Sequence, residues 1–188
     1  MNETIKHEFE KHIQIASELN QLTDLIAGSA KLCITCLKNG GKIILFGNGG
    51  SASDAQHIAA ELVGRYKIER KGLGAIALNT DTSSITSIGN DFGYDKIFHR
   101  QLESLASPGD VVIGISTSGS SKNVLLAIDL AEKLKCKTIG LTGKAKNKLN
   151  EICDITLNIP STDTPRIQEM HILLGHILCN LIDQAFTE

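Results

Sequence analysis

The sequence predicts an α/β protein, a doubly wound sandwich in which a central five-stranded parallel sheet carries helices on both faces. Three observations predict it. Short apolar segments alternate with longer stretches of helical periodicity. The apolar segments are continuous runs of the kind found in strands covered on both sides. The chain has 188 residues, 41% hydrophobic and 21% charged, which suits one core of ordinary globular composition.

The elements follow in order. Residues 3–38 read as helix, because Ile5, Phe9, Ile13, Ala16 and Leu19 recur at three- or four-residue steps. Gly28 is expected to divide this stretch into two helices, and Asn39-Gly40-Gly41 to end it. Strands are expected at Lys42–Phe46, Gly74–Leu78, Val111–Ile115, Thr138–Leu141 and Ile155–Ile159. Helices are expected at 51–66, 82–89, 94–106, 120–135 and 165–186. This makes one domain over 1–188, with a helical segment at 1–38 and the α/β core at 39–188. The last helix is apolar almost all round, from Ile167 to Phe186, so it must be buried on most sides. Burial is easier to achieve in an assembly, so this helix and the amphipathic first one point to a homo-oligomer.

Composition excludes several classes. The formal net charge is −2, with no basic block or basic-aromatic run, so nucleic acid is not an implied partner. No apolar run is long enough to span a bilayer. Residues 1–10 are polar and charged, unlike a secretory signal, so the expected location is cytoplasmic. Five cysteines cannot all pair as a disulfide framework. Cys33-Ile34-Thr35-Cys36 has redox-motif spacing, but it lies late in a helical stretch rather than after a strand and reads as packing.

Two loops carry the chemistry of an anion site. Gly47-Asn48-Gly49-Gly50-Ser51 follows the first strand; its glycines free backbone N–H groups to face a ligand at a helix start. The same residues suit a tight turn with Ser51 as N-cap and Asp54 closing a capping box. No lysine follows Gly50, so the loop is not a nucleoside-triphosphate loop. Gly47, Gly49 and Ala52 match a dinucleotide fingerprint, but Asp81 comes too late to serve as its ribose acid. The second loop, Ser116-Thr117-Ser118-Gly119-Ser120-Ser121, follows the third strand and offers five hydroxyls, more than helix capping requires. In a parallel sheet both loops lie at the carboxyl edge, where ligands bind. Two polar loops on one edge describe a sugar-phosphate pocket better than a nucleotide site.

His57 and Glu61 are four apart and share a helix face above the first loop. The last helix carries Gln168, His171 and His176; Gln168 and His176 are about 80° apart around its axis. Thr164 and Pro165 make a plausible N-cap and first helical residue.

Together these segments closely resemble the phosphoheptose isomerases, a branch of the SIS (sugar isomerase) domain family. The resemblance rests on Phe46 to His57, Glu61 to Tyr66, Asn90-Asp91-Phe92-Gly93-Tyr94, Ser116 to Ser121 and Arg166 to His171, and spans almost the whole chain. It implies conversion of the ketose sedoheptulose 7-phosphate to the aldose D-glycero-D-manno-heptose 7-phosphate, toward the heptose of bacterial lipopolysaccharide. It implies a tetramer with active sites between subunits. It implies one Zn2+ per subunit at His57, Glu61, Gln168 and His176, and the neutral Gln168 amide, a weak zinc ligand, predicts modest affinity. Substrate would contact Asn48, Gly49, Gly50, Ser51, Glu61, Asn90, Asp91, Ser116, Thr117, Ser118, Ser121 and Gln168. Glu61 would be the base and His176 its partner across the sugar. Pro165 departs from the family, which often has an acidic residue there. The alternative implied by the wider family is a non-catalytic module that binds a sugar phosphate or a replication-initiator protein.

Overall fold

A computed structural model describes residues 1–144 and 146–187. Its frame is a five-stranded sheet of β1 (Ile43–Gly47), β2 (Ala75–Ala77), β3 (Val111–Ile115), β4 (Lys137–Thr142) and β5 (Ile155–Asn158). The spatial order is β2-β1-β3-β4-β5, and every pairing is parallel. Strand periodicity sorts the side chains. Ile43 and Leu45 enter one core, and Ile44 and Phe46 enter the other.

The first core lies under α1 (Asn2–Glu18), α2 (Thr23–Lys38), α3 (Gly50–Val63) and α8 (Thr164–Ala185). The second lies under α4 (Thr82–Phe92), α5 (Ile97–Leu105), α6 (Lys122–Lys133) and the short α7 (Leu149–Ile152). The chain leaves β1 through α3 toward one edge of the sheet, and leaves β3 through α6 toward the other. These crossovers diverge at the carboxyl ends of β1 and β3, and a crevice opens between them. Gly47 pairs with Ile115, so the two loops leave the sheet side by side.

Several expected boundaries move. The N-terminal helices divide at a 3₁₀ turn, Leu19–Leu22, and not at Gly28. Gly28 lies inside α2, where an added Cβ would stand 3.3 Å from Ile155 Cδ1; its role is close packing of helix on sheet. The helix expected at 51–66 ends at Val63, leaving Tyr66 in the following loop. The helix expected at 82–89 continues to Phe92, so Asn90 and Asp91 occupy its last turn before Gly93 at φ +84°. A 3₁₀ turn at Tyr94–Lys96 separates it from α5. The N-cap of α8 is Asp163, which makes Thr164 and Pro165 its first two residues. The five cysteines are all unpaired. Cys33 and Cys36 are buried in α2, and burial pushes the Cys33 thiol up to about 12, a packing environment and not a reactive one.

Candidate active site

The first loop is shaped by three missing side chains. Gly49 sits at φ +58°, and an added Cβ on Gly47 would lie 2.7 Å from Ser51 Cβ. On Gly50 it would lie 2.5 Å from Gln168 Nε2, so glycine there lets the Gln168 amide settle on the start of α3. The expected capping box does not form. The N-cap is Gly49, with no side-chain cap bond; Ser51 is buried and Asp54 has a buried Oδ2 with no hydrogen bond. Burial pushes Asp54 up to about 6 against the opposing pull of His57.

Asparagines hold this loop in place. Asn79, just past β2, accepts from Gly47 N at 3.3 Å and donates to Gly47 O at 2.8 Å. Asn48 and the buried Asn123 of α6 exchange two amide hydrogen bonds of 2.9 Å. Tyr94 Oη also donates to Asn48 Oδ1, at 3.0 Å. With its carbonyl oxygen taken twice, Asn48 would have one remaining amide N–H to offer a ligand. The Tyr94 bond also brings the 90–94 segment to the crevice, where Asn90 donates to the Asp91 carboxylate at 2.8 Å.

The second loop closes its hydroxyls on one another. Ser116 and Ser121 Oγ atoms are 2.9 Å apart, Ser120 Oγ donates to Ser118 Oγ at 2.9 Å, and Ser116 and Ser118 Oγ atoms are 3.5 Å apart. Gly119 at φ +62° turns the chain among them, and Thr117 O accepts from Gly143 N. Ser121 is the N-cap of α6 but makes no side-chain cap bond. The first-turn N–H groups and the hydroxyl cluster together suit an anion.

Beyond the first loop, α3 meets α8. Their approach depends on Gly175, where an added Cβ would stand 2.5 Å from Ile58 Cδ1. One residue further, His176 Nε2 lies 3.0 Å from His57 Nε2, and His57 Nε2 lies 3.2 Å from Glu61 Oε1. One ligand atom from each of these three residues falls within 4.8 Å of the others. Glu61 and His176 therefore converge within one chain. Two imidazole nitrogens and a carboxylate oxygen this close together have the donor set of a three-ligand catalytic zinc site with open positions, so these residues fit the ion. Gln168 rests on Gly50 at the near end of the same helix pair. His171, in contrast, is fully buried with neither ring nitrogen hydrogen-bonded. Burial lowers it to about 4, and the neighbouring Thr142 backbone opposes the shift only partly. It is a core residue.

Asn79, Asn123 and Gly175 were not singled out from sequence. The asparagines sit just after a strand and in a helix first turn, where the bland reading is local capping; only topology shows that they brace the loops.

A SIS domain is the class that this fold and site define: the family model for that domain matches residues 9–143. The phosphoheptose isomerase of Aliarcobacter butzleri is 58% identical over 188 residues, covering 100% of both chains. That of Helicobacter hepaticus is 56% identical, covering 100% of this chain and 96% of the relative. Among solved structures, the phosphoheptose isomerase of Neisseria gonorrhoeae superposes with a TM-score of 0.92 at 43% identity, over 97% of this chain and 98% of that one. The chain belongs to the SIS domain family, in its phosphoheptose isomerase branch, and is an enzyme.

Proposed function

We propose that the protein converts sedoheptulose 7-phosphate to D-glycero-D-manno-heptose 7-phosphate. The observation that carries this reading is the meeting of Glu61 and His176 on the two helices whose near ends meet at the glycine loop. The phosphate sits on Ser116, Thr117, Ser118 and Ser121 at the start of α6. Asn48 to Ser51, Asn90, Asp91 and Gln168 hold the sugar so that its C1–C2 end reaches α3 and α8. Glu61 takes a proton from C1, whose bonding electrons form the C1=C2 bond while the C2 carbonyl oxygen gains charge. His176 moves a proton from the C1 hydroxyl to that oxygen, and Glu61 returns its proton to C2, which yields the aldose. General acid–base help of this kind contributes roughly 10²–10⁴-fold.

His57, Glu61 and His176, with the weaker Gln168 amide, would hold zinc, which supplies polarisation of a substrate oxygen. A carboxylate shared with a metal is a weaker base, so Glu61 would either loosen from the ion as substrate binds or be mainly oriented by it. The neutral Gln168 ligand fits modest metal affinity.

We further place the enzyme in a homotetramer whose sites lie between subunits. In α1 no residue is buried, and Ile5, Phe9 and Ile13 are 49%, 66% and 66% exposed along one stripe. The crevice is open as well, with His57, Asn90 and Asp91 at the surface. The reaction belongs to the heptose supply of bacterial lipopolysaccharide, in the cytoplasm. Five unpaired thiols suit that reducing compartment, and no helix among the described residues is long and apolar enough to cross a membrane. A non-catalytic binding module would need the two loops but not the His57–Glu61–His176 cluster.

Turnover of sedoheptulose 7-phosphate, measured before chelation, after it and after zinc return, tests the reading. Activity should vanish and come back. Undiminished turnover by verified metal-free protein rejects an essential metal, and no turnover in any state rejects the isomerase.

A further inference from the structure

The segment from 64 to 74 supplies none of the groups assigned above, yet it is fastened to both site helices. Asp183 of α8 is fully buried. Its Oδ2 accepts from Lys67 N at 2.8 Å and Ile68 N at 3.1 Å, and its Oδ1 accepts from Arg70 Nε at 2.8 Å. Burial would raise Asp183, but these three donors and the Arg70 charge hold it below the usual carboxylate range. The Arg70 side chain, 3% exposed, also donates to Leu62 O at 2.9 Å and to the backbone oxygen of Glu61 at 3.1 Å. One ion pair thus joins the carboxyl end of α3, at Glu61 itself, to α8 about two turns beyond His176.

Tyr66 lies between these anchors. Its ring stacks on the His176 imidazole, with centroids 5.5 Å apart and planes 22° apart. His57 meets the same imidazole edge-on, at 5.0 Å and 63°. The 3.0 Å Nε2–Nε2 contact with His57 ties one ring atom, and the ring can still tilt about its soft second torsion. A flat neighbour on the ring face restrains it directly. We propose that Tyr66, held by the Arg70–Asp183 pair, is a positioning residue that sets the plane of the His176 ring relative to Glu61. This rests on the reading that Glu61 and His176 carry the proton transfer. The working part of Tyr66 is its ring and not its hydroxyl, because the contact is face to face.

The test uses the full chain loaded with zinc, and compares Tyr66→Leu and Tyr66→Phe with the wild type on sedoheptulose 7-phosphate. Misplacing a catalytic group by a fraction of an ångström should lower kcat roughly 10-fold or more in Tyr66→Leu. KM should stay within about 2-fold, since the phosphate loops are untouched, and Tyr66→Phe should keep both constants within about 2-fold of wild type. Relaxation of the His176 Cε1–H group, read by 13C NMR, should show a more mobile ring in Tyr66→Leu only. The proposal fails if Tyr66→Leu keeps its kcat, if the loss falls on KM, if Tyr66→Phe is as poor as Tyr66→Leu, or if ring mobility does not change. A wild-type protein without turnover would instead sink the functional reading beneath it. That outcome is distinct from an active wild type with an equally active Tyr66→Leu.

Discussion

Asp54 has an inaccessible carboxylate oxygen and no donor, and burial holds it up to about 6. An acid raised in this way stabilises the fold while protonated. That contribution is complete below about pH 4 and is lost as the pH rises through about 6. In metal-free protein, Asp54→Asn should match the wild-type Tm at pH 4 and exceed it by several degrees at pH 8, for up to about 2 kcal/mol after solvent screening. Equal gaps at both pH values would place the carboxylate in water. Ser118→Ala removes a hydroxyl that accepts from Ser120 and faces Ser116, so KM should rise several-fold with a smaller change in kcat. An unchanged KM would take Ser118 off the phosphate. The serine loop stands out in sequence by its hydroxyl content, whereas spacing alone leaves Glu61 and His176 open and only the resemblance to phosphoheptose isomerases singles them out. Spacing suggests that Asp54 closes a capping box on Ser51, but the carboxylate is a half-buried acid, since capping depends on which backbone N–H is reachable and not on spacing alone.

At the scale of elements, the contact between α3 and α8 depends on Gly175. Gly175→Ala would drive a Cβ to 2.5 Å from Ile58 Cδ1, so the helices must part or Ile58 must repack. Overpacking of this kind costs about 1–3 kcal/mol. We expect a lower Tm and a lower kcat, with inorganic phosphate binding unchanged by calorimetry; weakened phosphate binding would show that the loops depend on this contact. Gly28→Ala is the control, because a 3.3 Å approach to the flexible tip of Ile155 is offset by better helix propensity, leaving Tm nearly unchanged. Neither glycine has a positive φ, so Gly28 continues its helix and does not break it, and only Gly175 is required for space. The strands were legible because apolar runs in a two-sided sheet admit few alternatives. The four-residue α7 was not, being too short to show a period.

For the whole molecule, the buried His171 sets an acid limit. A base lowered to about 4 contributes stability that is complete above about pH 6.5 and is lost as the pH falls toward 4, up to about 3 kcal/mol. His171→Leu should therefore lose less Tm than wild type between pH 7 and pH 5, and an identical decline would move the acid sensitivity elsewhere. Assembly is tested by Phe9→Glu with Ile13→Glu, which should yield a smaller species by light scattering; an unchanged mass would release α1 from the interface. The sheet order itself was not legible, because local periodicity says nothing about which strand lies beside which. The crevice follows from that order. Its gripping turns come from neighbouring strands, while the imidazole arrives from a residue 119 positions beyond His57. On the proposed reading, grip and reactivity should be separable by mutation. A descendant that lost only the far imidazole would still hold its ligand, and could be selected as a sensor without rebuilding anything else.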